Sequence, residues 1–168
     1  TYKQRAYFTR AAGTARLVWN WALAEWDRQY HAGKKPSGMS LKKQFNAVKY
    51  ELYPWLAGVH RDAHASPFNS LQKAFSRFFK KTANRPKFKR KGQSRDSFAV
   101  ANDKLTVQDK RVRLPLIGWV CMVEAIRFTG RILSATVSRT ANHWYISFQI
   151  DVGDVRRDRI GDGIVGVD

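Results

Sequence analysis

Apolar side chains recur in steps of three or four through residues 1–81 and at every second position from about residue 96, so the pattern predicts helices followed by strands. Tyr7, Ala11, Ala15, Val18, Ala22, Trp26 and Tyr30 fall on one face of a first helix. Thr1 followed by Gln4 matches a capping box, which starts that helix at once. Gly33 stops it, and Lys34-Lys35-Pro36-Ser37-Gly38 is loop chemistry leading to Ser40 as the next N-cap. A second helix runs through Leu41, Phe45, Val48 and Leu52 and ends at Pro54. The third is expected to be capped by Asp62, or by Ser66 with Pro67 at its first position, and to bury Phe68, Leu71, Phe75, Phe78 and Phe79.

Beyond residue 95 the runs Ser97 to Val100, Lys104 to Val107, Arg111 to Leu114 and Trp119 to Val123 are short and β-prone, with turn residues between them. Ile132 to Arg139 and Trp144 to Asp151 alternate around Thr140-Ala141-Asn142-His143, read as a four-residue hairpin loop. Strands this short and turns this frequent predict a small antiparallel barrel or strongly curved sheet of the oligonucleotide-binding type, with Trp119 and Trp144 favoured as core residues over stacking platforms. The expected class is α+β. Ile164-Val165-Gly166-Val167-Asp168 reads as a buried strand cut off at an acid, so the chain is expected to be the front part of something longer.

Charge changes the picture from fold to partner. With 31 Lys and Arg against 13 Asp and Glu, the formal net charge is +18, which points to a polyanion and first of all to nucleic acid. Its densest part is Arg85-Pro86-Lys87-Phe88-Lys89-Arg90-Lys91, a basic hinge between the helical and strand halves with no acidic residue. Lys73, Arg77, Lys80 and Lys81 gather in the last turns of the third helix, where the helix dipole accounts for only some of them. Lys42, Lys43 and Lys49 lie off the apolar stripe, and a solvated face and a phosphate-facing one are equally open for them. His60 and His64 flank Asp62 without a third ligand nearby, which favours surface or capping histidines over a metal site. Cys121 is the sole cysteine, so no disulfide framework or zinc knuckle is expected. No apolar run long enough to span a membrane occurs, and the first residues lack the apolar core of a signal peptide.

Five blocks carry a family resemblance in family order: Thr14-Ala15-Arg16-Leu17-Val18-Trp19-Asn20-Trp21-Ala22-Leu23; Leu71-Gln72-Lys73-Ala74-Phe75-Ser76-Arg77-Phe78-Phe79; Arg85-Pro86-Lys87-Phe88-Lys89; Arg113-Leu114-Pro115-Leu116-Ile117-Gly118-Trp119-Val120; and Gly166-Val167-Asp168. Together they resemble the N-terminal part of TnpB, the transposon-encoded RNA-guided DNA endonucleases related to miniature type V CRISPR effectors. The resemblance implies a helical recognition lobe (1–82), a basic hinge (83–95), a wedge-like β-barrel (96–152), and a linker with the first strand of a RuvC, RNase H-like domain (153–168). Family members usually open with a strand that completes the barrel. Here Thr1 already begins a helix, so that strand is expected to be missing.

The resemblance makes Asp168 the first catalytic and metal-binding carboxylate of a Mg2+-dependent RuvC site whose other acids lie downstream, and this polypeptide alone is expected to be inactive as a nuclease. The family's zinc ribbon is also downstream, so zinc is not expected here. Guide RNA and target double-stranded DNA are the implied partners, in a prokaryotic cytoplasm near the nucleoid, with the oligomeric state left open. Arg85, Lys87, Lys89, Arg90 and Lys91 are the backbone-contact candidates, joined by Lys73, Arg77, Lys80 and Lys81. Phe88 stacks on a base or, as favoured here, pins the hinge. His64, Phe68 and Asn102 fall near family positions that face the short motif flanking the target. The alternatives are a nuclease-dead guided repressor and a stand-alone basic RNA- or DNA-binding module.

Overall fold

The computed structural model describes residues 1–153, in which three α-helices precede six short strands, so the α+β class holds. Helix α1 (Tyr2–His31) is 30 residues long. Its capping box forms as expected: Gln4 N donates to Thr1 Oγ1 (3.3 Å) and the Thr1 amine donates to Gln4 Oε1 (2.9 Å).

The next two helix starts differ from expectation, each for a tertiary reason. Helix α2 (Gly38–Leu52) is capped by Ser37 rather than Ser40, the two serines bonding reciprocally (3.1 and 3.2 Å). This start seats Gly38 against the third helix, where its N–H donates to Gln72 Oε1 (2.7 Å). Helix α3 (Arg61–Phe79) starts after His60, upstream of both predicted caps, and Pro67 lies inside it. Proline there removes one intrahelical bond. The early start persists because His60 and Asp62 dock onto a strand.

Ring contacts order the helices. Tyr7 meets His60, Trp26 stacks on Phe75 at 4.1 Å and 6°, and Tyr30 meets Phe79, so α1 and α3 run parallel. The second half of α1 (Val18, Ala22, Leu23, Trp26) forms one core with Leu41 and Phe45 of α2 and Phe68, Leu71 and Phe75 of α3. Its first half (Tyr7, Phe8, Ala11, Ala12) belongs to a second core with Phe98, Val100, Val112, Leu114 and Val137 of the strands. One long helix therefore serves both cores. Tyr30, Leu52 and Phe79, expected in the buried stripes, are exposed at helix ends. Lys49, expected off the stripe, is buried, with its ammonium on Asn46 Oδ1 (2.9 Å) and 4.7 Å from the Tyr50 ring.

The strands are β1 (Ser97–Ala101), β2 (Thr106–Gln108), β3 (Arg111–Leu114), β4 (Gly118–Cys121), β5 (Arg131–Thr140) and β6 (His143–Asp151). They form two antiparallel three-stranded sheets, β1-β5-β6 and β2-β3-β4. Among the described residues they do not close into the expected barrel. No strand pairing joins the sheets; they share instead an apolar cleft of about 670 Å³ lined by Phe8, Val112, Leu114, Trp144, Ile146 and Phe148. Trp144 packs on this core as expected, whereas Trp119 stands outside it. The β5–β6 hairpin is tighter than predicted: Thr140 pairs with His143, leaving a two-residue loop with Ala141 at φ 51°.

The free edge of β1 is covered by α3. His60 Nε2 bonds Ala99 O (3.0 Å), and Ala101 N donates to Asp62 Oδ2 (3.0 Å). The Tyr7 hydroxyl accepts from His60 N (3.2 Å) and bonds His60 Nδ1 (2.8 Å). Because Ala99 O can only accept, the network assigns the His60 proton to Nε2. Burial holds His60 below its ordinary pKa, consistent with that neutral ring.

Candidate nucleic-acid interface

Residues 85–91 do not bridge open space; they form a strap bound along α1. After α3, Lys81 adopts φ 58°, its N–H reaching Phe78 O (2.9 Å) and Thr82 N reaching Arg77 O (3.0 Å), a helix-ending turn that reverses the chain. Pro86 prevents a new helix and favours extended backbone before it. The strap then runs antiparallel to α1: Arg85 pairs with Asp27 (2.7 Å), Trp19 Nε1 donates to Lys87 O (3.0 Å), and Asn20 meets Lys89. Asn20 Nδ2 donates to Lys89 O (2.9 Å) while Lys89 N donates to Asn20 Oδ1 (2.8 Å), as a neighbouring strand would. Further on, Arg90 N donates to Ser94 Oγ (3.0 Å) and Arg16 pairs with Asp96.

Fixing the main chain sorts the predicted contact residues. Arg85 is engaged with Asp27. Lys89 lies half-buried with Nζ 4.3 Å from the Trp19 ring centroid, and burial lowers its pKa. Lys87, Arg90 and Lys91 are exposed, and among the described residues none forms an ion pair. Phe88, expected to pin the strap, is 54% exposed; Trp19 and Asn20 do the pinning through the strap's main chain, which leaves the Phe88 ring open to a partner. Trp19 and Asn20 were missed as holders because a side chain that bonds main chain leaves no mark in apolar periodicity.

Lys73, Arg77, Lys80 and Lys81 all stand exposed, and none forms an ion pair among the described residues. Two other candidates have to be withdrawn from the surface. His64 is 3% exposed and Phe68 0%; Phe68 packs against Phe45 and Trp21, so neither reaches a ligand without opening the helical core. The sequence held the signal, since His64 and Phe68 continue the Leu71 and Phe75 stripe at helical spacing. Burial, with Lys49 and His60 nearby, depresses the His64 pKa to about 4. Asn102 is exposed in the 3-10 turn after β1. Asp168 lies outside the described residues.

His60 and Asp62 are held by the edge of β1, and among the described residues no group of three or more His, Cys, Asp or Glu is placed to hold a metal ion. Likewise, no described helix is long and apolar enough to cross a membrane. The arrangement is suited to electrostatic and stacking contact with a phosphodiester chain: fixed main chain, exposed cations and one exposed ring.

Residues 1–35, which are α1 and the turn after it, match the family described as a helix-turn-helix domain, HTH_OrfB_IS605. The chain is 32% identical over 155 residues to InsQ of Escherichia coli (strain K12), a protein named for RNA-guided DNA endonuclease activity. That match covers 89% of this chain and 38% of the relative, so the chain spans well under half the length of the protein it resembles. These two matches show that the chain is similar to the N-terminal part of proteins of the IS605 OrfB/TnpB type.

Proposed function

We propose that this chain is the nucleic-acid-binding front region of a transposon-encoded, RNA-guided DNA endonuclease, with the strap on α1 holding the guide-RNA backbone. The observation that carries the reading is the strap itself: its main chain is immobilised by Trp19 and Asn20, and Lys87, Arg90 and Lys91 remain exposed beside Phe88. A guide duplex is held through backbone shape and charge, which calls for Lys and Arg on a rigid support. The cations of α3 extend the same surface chemistry.

Within this proposal a short motif flanking the DNA target is met by the remaining polar surface, for which Asn102 is the exposed candidate. Cleavage belongs to a RuvC-type magnesium site that would include Asp168. The described residues supply no metal site of their own, so no catalytic step is assigned to them.

The test is to extract and sequence the nucleic acid that co-purifies with the full-length protein. One defined RNA species supports the reading. Nucleic acid of random sequence, or none, contradicts it.

A further inference from the structure

The outward face of the β2-β3-β4 sheet has no part in the contacts described so far. Alternation along the strands places Thr106, Gln108, Arg111, Arg113, Trp119 and Cys121 on it, all of them exposed. Val112, Leu114 and Val120 line the apolar cleft on the other side. The register sets Arg113 directly opposite Trp119 and Arg111 opposite Cys121, and the Arg111 guanidinium lies 5.6 Å from the Trp119 ring centroid. Trp119 remains 42% exposed even so.

Three features mark this face as a binding surface. A tryptophan is the costliest side chain to leave in water, and the apolar cleft is one strand position away at Val120. The face carries two arginines and no carboxylate, since Asp109 belongs to the turn between β2 and β3. Its edge strand is tethered through main chain: Gln4 Nε2 of α1 donates to Trp119 O (3.2 Å), which leaves the indole ring free.

We propose that this face is a stacking platform for an unpaired nucleobase, with Trp119 under the base and Arg111 and Arg113 on the flanking phosphates. A sheet face with one exposed ring and two arginines beside it suits a single strand, because a base already stacked in a duplex has no free face to offer. The inference rests on the nucleic-acid reading above and adds a contact separate from the strap.

Cys121 makes the test direct. It is the sole cysteine of the chain and is exposed, two residues along β4 from Trp119 and about 7 Å away, at the strand end that also borders the apolar cleft. The full chain is titrated with a short labelled oligonucleotide, as RNA and as DNA of the same sequence, and with a version carrying abasic positions. The wild-type protein is expected to prefer the intact strand about tenfold over the abasic one. Trp119→Ala is expected to lose that preference and Trp119→Phe to keep most of it. Preference for the intact strand in either backbone supports the platform, and the tighter backbone names its strand.

Should Trp119→Ala fail to fold, the wild-type protein still decides. Saturating single strand is expected to slow modification of Cys121 by a thiol reagent, and a duplex of the same sequence is not. Equal affinity for intact and abasic strands, or unprotected Cys121 at saturation, overturns the platform. Absence of any salt-dependent binding by the wild-type chain would instead overturn the nucleic-acid reading beneath it.

Discussion

Asn20 and Lys89 are joined through both main-chain groups of the lysine, Asn20 donating to its carbonyl at 2.9 Å and accepting from its amide at 2.8 Å. One side chain on α1 thus substitutes for a neighbouring strand and turns a basic loop into a fixed ridge. Asn20→Ala is expected to cost about 1 kcal/mol by urea unfolding. The Lys89 amide should then exchange with solvent several-fold faster, read by hydrogen exchange. Exchange unchanged from wild type would mean that the strap is held elsewhere.

Gly38 sits where α2 meets α3 at main-chain distance. A Cβ there would lie 2.7 Å from Phe68 O and 3.1 Å from Gln72 Cβ. Gly38→Ala is therefore expected to destabilise the chain by about 2 kcal/mol, although alanine is the better helix former. Chemical denaturation checks the sign, and a stabilised variant would refute this packing.

Acidification is expected to weaken the fold. Burial lowers the pKa values of His60 and His64, the latter to about 4. Between the ordinary histidine value near 6.5 and those folded values, the unfolded chain binds more protons than the folded one. The stabilising contribution is thus complete above about pH 6.5 and declines as pH falls toward about 4. Thermal melts should show a lower Tm at pH 5 than at pH 7, and His64→Gln should flatten the difference.

Phe75→Ala removes the ring stacked on Trp26 at 4.1 Å. It is expected to cost about 3–5 kcal/mol, enough to unfold a marginal helical core. A loss below about 1 kcal/mol in denaturant titration would show that the stack contributes little.

Much of this architecture was legible in the residues. Helical spacing gave three helices, and alternation gave the strands. The Thr1 and Gln4 pair gave the start of α1. The starts of α2 and α3 were not legible, because Gly38 docking on Gln72 and His60 docking on β1 override local capping signals. Pro67 is tolerated inside α3 for the same reason. Closure of the sheets was likewise beyond periodicity, which tells which residues face inward but not which strands pair. Phe68 was readable in two ways at once, as stripe and as contact, and the apolar stripe prevailed because burying a phenylalanine outweighs one exposed contact. Trp119 went the other way, since a single exposed ring in an alternating run looks the same as a buried one until the register is known.

In the proposed function the strap presents Lys87, Arg90 and Lys91 to a nucleic-acid backbone. The measurement is the slope of log affinity against log salt for guide-like RNA, comparing the wild-type chain with Lys87→Ala/Arg90→Ala/Lys91→Ala and with Arg85→Ala. The triple variant should bind more weakly, and its slope should shallow by about two units, at roughly 0.7 to 0.9 per lost phosphate contact. Arg85→Ala, whose guanidinium is engaged with Asp27, should change the slope by less than one such unit. An unchanged slope in the triple variant would contradict the claim and leave the strap as a solvated turn held against α1.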